Sequence, residues 1–408
     1  MTEQTPTPRR ILLIDADAFF VAVARWADPE GAGRAPYLLV GGTAEGRGIV
    51  CSASYEARAF GVKSAMPMSR ALRLCPDAMC VPVPGKACRL KHAEIRGVLE
   101  KFSPVVQSAS IDEWYVDLAG TEAYYDHSPL DAIAHRIRNA VQAETAMTVS
   151  IGGGTSKLIA KMAAERAKPR PENGANGVRI VEAGHELEFM RTLKLAEIPG
   201  IGPKATSRLA ARGLSTVEDV LALDAAALAR LVGPRDSGWL ARKVRGEDSG
   251  EVATEREAAK SISRDDTFPV DINDDLLLEG ELTELAGRAA GDLRGDGLKS
   301  RTVTVRIRDR DFTTRQASRT VDEPLESDRA IFLVARDLLY KLRKARRVPA
   351  RLLGVALSNF TDAPAKQLAL FGDRNGRLET PKDRDVSRAI DVVREKFGKR
   401  AIAPGRKH

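Results

Sequence analysis

Two acidic pairs occupy places where metal-assisted chemistry needs them. Asp15 and Asp17 follow the apolar run Ile11–Ile14, while Asp112 and Glu113 lie between the apolar segments Val105–Ser110 and Trp114–Leu118. Carboxylates at the ends of buried strands are hard oxygen ligands suited to Mg²⁺, which keeps positions open for substrate phosphates. Two such ions about 4 Å apart activate an attacking hydroxyl and stabilise the leaving pyrophosphate of an in-line displacement. Taken singly, each acid is equally well a solvated turn residue. The pairing of two acidic segments in apolar strand contexts is what points to a site, provided the fold brings them together.

The elements that must do so alternate over the first 180 residues. Ile11–Ile14 is a continuous apolar run, as in a buried central strand. Helices are predicted over Phe19–Trp26, Ser64–Leu74 (ended by Pro76), Leu90–Phe102, Leu130–Thr145 and Ser156–Lys168. Strands are predicted at Tyr37–Val40 and Gly48–Ser52, around the glycine-rich turn Gly41–Gly48, and at Thr148–Ile151. Pro169–Gly177 is a loop by composition. A helical, short-looped unit follows to about Gly246, then a charged linker, Glu247–Ala259. A third unit sets the long helices Leu276–Leu293 and Arg329–Arg346 among strands. Beyond Thr361 the chain is polar apart from the cluster Gln367–Phe371 and a helical spacing of Val386, Ile390, Val393 and Phe397.

Two further features fit a phosphate backbone. Ile198-Pro199-Gly200-Ile201-Gly202-Pro203-Lys204 is a hairpin entering a helix, whose backbone amides grip phosphate without reading bases, and which is equally a plain helix–helix turn. In Lys299–Arg310, Val303, Val305 and Ile307 alternate with Thr302, Thr304, Arg306, Arg308 and Arg310, an apolar face backed by a row of guanidiniums and hydroxyls. Lys341–Arg351, including Lys341 and Arg343, adds a basic run with no acid in it.

Composition narrows the classes. The 408 residues carry 64 Lys plus Arg against 56 Asp plus Glu, net charge +8, with 43% hydrophobic residues. That is enough apolar content for several folded cores and excludes a largely disordered chain. No apolar run approaches the ~20 residues of a membrane span, and Met1–Arg10 lacks the apolar region of a secretory signal, so a cytoplasmic protein is expected. The 4 cysteines fit reduced thiols rather than a disulfide scaffold. Cys75, Cys80, Cys88 and His92 match no paired zinc spacing.

Taken in order, Ile14-Asp15-Ala16-Asp17-Ala18-Phe19-Phe20, Tyr55-Glu56-Ala57-Arg58, Ser110-Ile111-Asp112-Glu113 and the Lys157–Lys168 helix resemble the successive motifs of Y-family (translesion) DNA polymerases, nearest to their polymerase IV branch. The hairpin, the basic third unit and Gln367–Phe371 extend the likeness over nearly the whole chain. The resemblance implies an α/β right-hand polymerase: palm at 1–18 and 85–180, fingers at 19–84, a helix–hairpin–helix thumb at 181–246, linker at 247–259, little finger at 260–361 and a tail at 362–408. It implies template-directed addition of deoxynucleotides to a primer 3′-hydroxyl, low fidelity and lesion bypass. The two metal ions, Mg²⁺ with Mn²⁺ as substitute, would be held by Asp15, Asp112, Glu113 and the backbone carbonyl of Ala16.

By the same likeness, Phe19, Tyr55, Arg58 and Lys161 meet the incoming nucleotide. Arginine supplies a planar fork and lysine a point charge to the triphosphate. Phe20 takes the place of the steric gate against a 2′-hydroxyl, and as a phenylalanine it is equally a core residue. Gly200, Gly202, Lys204, Arg306, Arg308, Arg310, Lys341 and Arg343 are expected to hold primer–template DNA. Gln367, Leu368, Leu370 and Phe371 resemble the peptide that docks on a sliding clamp; a fold back onto their own domain is the alternative. A monomer, bacterial and nucleoid-associated when bound to DNA, is implied.

The chain departs from the family pattern at Trp114, where a small residue is usual, at Gly152–Gly154, at the 169–177 insertion and in residues 372–408 beyond the clamp-like peptide. Asp17 and Asp117 read as structural, or as supports for the metal-holding acids rather than ligands themselves. Two rivals remain: a nucleotide cyclase, which has no use for the hairpin and the basic domain, and a catalytically inactive adaptor for DNA and clamp.

Overall fold

A computed structural model describes residues 8–169, 174–255, 258–361, 378–398 and 401–402. The chain divides into two compact units, Met1–Arg256 and Glu257–His408.

In the first unit the strands are β1 (Ile11–Ala16), β2 (Leu38–Gly41), β3 (Val50–Ala53), β4 (Met79–Val81), β5 (Val106–Ser108), β6 (Glu113–Asp117), β7 (Val149–Gly154) and β8 (Val178–Ile180). Five form the main sheet, in the order β5-β6-β1-β7-β8. β1 lies at its centre, antiparallel to β6 and β7. Every residue of β1 is buried, because both faces of the sheet are covered. Leu12, Ile14 and Ala16 enter a core shared with Ile95, Leu99, Ile133 and Ile137 of the helices Gly85–Leu99 and Leu130–Thr145. Ile11 and Leu13 pack on the opposite face with Tyr115, Ala160 and Ala164. A two-faced burial of this kind explains why the sequence shows a continuous apolar run instead of alternation.

The glycines after Ile151 continue β7, where a shorter strand was expected. A Cβ on Gly152 would lie 2.0 Å from the Ala164 nitrogen and 2.2 Å from the Ala160 carbonyl oxygen. The missing side chain lets helix Lys157–Ala167 press onto the strand, which fixes the height of that helix over the carboxylates described below.

The small sheet β3-β2-β4 carries the helices Tyr55–Ala59 and Met68–Leu74. The latter starts later than its predicted Ser64, because Pro67 stands in an extended conformation (φ −55°, ψ 134°) just before it and pairs with Ile49. Short helices fill residues 186–244 around Phe189, Met190, Leu195, Val217, Leu240 and Val244. The first part of the predicted linker lies against the main sheet. Val252 is buried with Ile11 and Leu13, Arg9 donates to the Gly250 carbonyl (2.9 Å), and Lys157 donates to that of Glu251 (3.3 Å).

The second unit is a four-stranded antiparallel sheet of β9 (Ser261–Ile272), β10 (Lys299–Asp309), β11 (Thr314–Leu325) and β12 (Ala350–Thr361), ordered β11-β10-β12-β9. Helices Asp275–Gly295 and Asp328–Ala345 cover the face on which Val303, Val305 and Ile307 are fully buried. Helix Pro381–Phe397 attaches to this unit through charge. Asp391 accepts two hydrogen bonds from Arg294 (2.6 and 2.8 Å), and Ser387 Oγ accepts from the Asp328 amide (3.1 Å). Among the described residues no helix is long and apolar enough to cross a membrane.

Candidate functional site

The strand register assembles the acids. Asp15 stands directly opposite Glu113 across β1 and β6, and the Ala16 amide donates to the Asp112 carbonyl at 2.9 Å. Asp15, Ala16, Asp112 and Glu113 therefore meet at one end of the central strands. Glu113 opens β6, and Asp112 stands in the loop before it. Ser110 Oγ donates to Asp112 Oδ1 at 2.5 Å and accepts from the Asp112 amide at 3.2 Å.

Two lysines of one helical segment answer this negative charge. Lys161 Nζ donates to both oxygens of Glu113, at 2.7 and 2.9 Å. Lys168 Nζ lies 2.9 Å from Asp15 Oδ2 and 2.7 Å from Glu165. Burial pushes the Asp15 carboxyl up to about 6 against the pull of Lys168. Burial also works to lower the Lys168 ammonium, but Asp15 and Glu165 outweigh it and raise it. Burial opposes the charge on both groups, and the ion pair between them offsets that cost.

The donor set is all oxygen, three carboxylates and a backbone carbonyl, which fits a hard divalent cation. Among the described residues no three His, Cys, Asp or Glu side chains are gathered as they stand into a metal cluster; Asp15 and Glu113 hold lysines instead. Asp17 and Asp117 are placed elsewhere. Asp17 Oδ1 accepts from Ser150 on β7 (2.7 Å). Asp117 lies opposite Ile11, at the other end of the pair, and accepts from the Ala119 amide (2.9 Å).

Phe19 is buried, and Phe20 is half-buried against it, edge to face, with ring centroids 5.8 Å apart. Their helix starts abruptly after Ala18, which adopts left-handed angles (φ 44°, ψ 44°) and whose carbonyl accepts from Val21 and Ala22. Phe20 also packs against the cores on both sides of its helix, so its ring is held. Tyr55 opens a short helix capped by Ser54. Arg58 donates to the Ala53 carbonyl (2.9 Å) and lies 5.1 Å over the Tyr55 ring. The Tyr55 phenol is pushed up first by burial and next by the Asp17 carboxylate. Lys168 and Ser110 were missed in the sequence. The signal for Lys168 was its seven-residue spacing from Lys161, two helical turns on the same face.

In the hairpin, Gly200 has φ +96°, and a Cβ there would lie 2.7 Å from the Trp239 ring. Gly202 caps helix Pro203–Ala210 without a side chain, and Lys204 is exposed in its first turn. The same Gly-Pro start recurs at Gly233–Pro234, opening helix Pro234–Val244. Arg306 and Arg308 lie on the open face of β10, with Arg306 3.5 Å from Asp265 and Arg308 bonded to Thr314 (2.9 Å). Arg310 is exposed just past the strand end, and Lys341 is exposed.

Arg343 corrects the sequence reading. It is buried, and its guanidinium binds Asp275 (2.6 Å), the Val348 carbonyl (2.5 Å), and the carbonyl (2.8 Å) and side chain (3.0 Å) of Asn273. It serves the interior, leaving nothing for DNA. Gln367, Leu368, Leu370 and Phe371 lie outside the described residues.

Comparison with known proteins agrees with this geometry. Family patterns described as the impB/mucB/samB family, its C-terminal domain and a SAM-like helix-hairpin-helix tandem match residues 14–165, 259–370 and 192–236. The chain is 35% identical to DNA polymerase IV of Dehalococcoides mccartyi (strain CBDB1) over 98% of its own length and 97% of the relative's. It is 34% identical to DNA polymerase IV of Caulobacter vibrioides over 96% and 93%. A solved Y-family DNA polymerase chimera (Dbh-Dpo4-Dbh) superposes with a TM-score of 0.76 at 26% identity, covering 87% of this chain and all of that one. On a match of this extent in sequence and in fold, the chain belongs to the DNA polymerase IV branch of the Y family of DNA-directed DNA polymerases.

Proposed function

We propose that this chain extends a primer 3′-hydroxyl by in-line attack on a deoxynucleoside triphosphate, releasing pyrophosphate, and that it does so on damaged template. Two divalent cations, Mg²⁺ or Mn²⁺ in its place, fit the oxygen set of Asp15, Asp112, Glu113 and the Ala16 carbonyl. Bound there, such cations supply activation of the hydroxyl and charge neutralisation on the triphosphate. The observation that carries the reading is the register that seats Asp15 opposite Glu113 with the Ala16 amide on the Asp112 carbonyl.

The chain's own residues do the positioning. Ser110 fixes the Asp112 carboxylate. Arg58, braced by Ala53 and Tyr55, turns a planar fork toward the triphosphate, with Lys161 adding a point charge. Phe20, locked by Phe19 and two cores, excludes a 2′-hydroxyl. Residues 1–18 and 85–180 serve as palm, 19–84 as fingers, 181–246 as thumb and 260–361 as little finger. Primer–template DNA lies along Gly200, Gly202 and Lys204 and along Arg306, Arg308, Arg310 and Lys341. The 367–371 peptide takes the sliding clamp, and the protein acts as a monomer at the bacterial nucleoid.

The test is primer extension with Mg²⁺ on intact and lesion-bearing templates, comparing wild type with D112N and E113Q. Extension by wild type alone, past the lesion, is expected. DNA binding without extension would replace the enzyme by an adaptor.

A further inference from the structure

The loop that carries Asp112 is held from beneath by a side chain outside the site. His92, in the middle of helix Gly85–Leu99, uses both ring nitrogens on it. Nδ1 lies 2.9 Å from the Ile111 carbonyl oxygen, and Nε2 lies 3.3 Å from Ser108 Oγ. A carbonyl only accepts, so Nδ1 carries the proton, and Nε2 shares a hydrogen bond with the Ser108 hydroxyl, which can donate or accept. The ring plane is fixed as well. It stacks on Trp114 with centroids 4.9 Å apart and 28° between planes. Trp114 is fully buried, and its indole N–H has no hydrogen-bond partner among the described residues. A large ring at position 114 thus forgoes a hydrogen bond in a place where packing against His92 is what it gains.

The three points touched, Ser108, Ile111 and Trp114, bracket Asp112 and Glu113. The loop is pinned on its other side by the Ala109 and Ser110 amides donating to the Glu113 carbonyl (2.9 and 3.2 Å). The Asp112 carboxylate itself has the loop hydroxyl of Ser110 as its bonded partner. Its direction therefore follows the orientation of the Ile111–Asp112 peptide, one carbonyl of which His92 holds.

We propose that His92 is a positioning residue for Asp112, acting through the Ile111 carbonyl, with Trp114 as the platform that orients the imidazole. This rests on the polymerase reading above. Loss of a group that orients a ligand costs roughly 10–100-fold in metal affinity or activity.

Two variants separate the hydrogen bond from the packing. H92F keeps a flat ring on Trp114 and loses both hydrogen bonds; H92N keeps a donor near the Nδ1 position and loses the ring. Single-nucleotide incorporation gives kcat and KM, and Mn²⁺ binding to the complex with a dideoxy-terminated primer is read by electron paramagnetic resonance. Thermal melting and primer–template affinity report the fold. H92F is expected to melt near wild type and bind DNA equally, yet to lose roughly 10–100-fold in kcat and to weaken Mn²⁺ binding, with nucleotide KM little changed. H92N is expected to recover most of both.

Wild-type Mn²⁺ binding and kcat in H92F would overturn the proposal, and so would equal losses in both variants together with early melting. If H92F does not fold, H92N with weak Mn²⁺ binding overturns it and H92N near wild type supports it. If wild type itself does not extend primers, the polymerase reading has failed, and Mn²⁺ binding alone decides on His92.

Discussion

Asp15 and Glu113 face each other across β1 and β6, and each is met by a lysine from the same helical segment, Lys168 at 2.9 Å and Lys161 at 2.7 Å. Opposed carboxylates repel, and a buried one is costly unless paired. The sheet can carry both because Gly152 lets the lysine-bearing helix settle directly onto β7.

D15N, D112N and E113Q should each lower kcat for nucleotide addition more than about a hundredfold, the scale on which losing one electrostatic stabiliser of a transition state is felt. Primer–template affinity should stay within a few-fold. Steady-state incorporation and fluorescence anisotropy measure the two quantities, and extension at wild-type rate by any of the three would remove that carboxylate from the site.

Replacing Phe20 by alanine should open the space under the sugar while leaving Phe19 and the core in place. The ratio of deoxynucleotide to ribonucleotide kcat/KM should fall by about a hundredfold, mostly through faster ribonucleotide use, because steric exclusion is lost without loss of a charged contact. An unchanged ratio would make Phe20 a core residue only.

Arg308 and Arg343 should behave oppositely. R308A should weaken DNA binding uniformly across sequences and reduce the salt slope by about 1. R343A removes a buried guanidinium from Asp275 and Asn273, and should cost about 1–3 kcal/mol of stability in the second unit with the salt slope unchanged. Urea melts and binding titrations at several salt concentrations distinguish the two.

Gly152→Ala should be among the most damaging small substitutions, since the added methyl meets helix backbone and not a movable side chain. About 3 kcal/mol is expected, seen as a lowered denaturation midpoint with an unchanged slope.

Acid should release the tail helix. Burial works to raise the Glu379 carboxyl. The amides of Glu326 and Ser327 (2.9 and 2.5 Å) and the guanidinium of Arg384 (2.6 Å) outweigh it and hold the group below its ordinary value. A carboxylate depressed by folding stabilises in full above the ordinary glutamate pKa of about 4.3, and that stabilisation is lost as pH falls through the folded-state value. Hydrogen exchange across Pro381–Phe397 should therefore accelerate below about pH 4 in the wild type. In E379Q it should be fast at neutral pH already and lack that acid step.

Much was legible in the sequence because short-range rules suffice for it. The Ile11–Ile14 run marked a strand buried on both faces, Leu130–Thr145 carried its helical period end to end, and the alternation of Val303, Val305 and Ile307 with Arg306 and Arg308 named the two faces of β10. The acids of the site were visible as residue types at strand ends. What tertiary structure alone decided is who meets whom. The basic run Lys341–Arg351 has no acid within it, yet Asp275 and Asp309, distant in sequence, bind Arg343 and Arg346 (2.6 Å each), and Arg343 is withdrawn from the surface altogether. Lys168 met Asp15, and His92 met Ile111, only when strands and helices closed on one another. Local sequence sets the period and ends of each element, because those depend on neighbours a few residues away. The partner of a charge depends on register and packing between elements far apart in the chain, and that is settled only when the core forms.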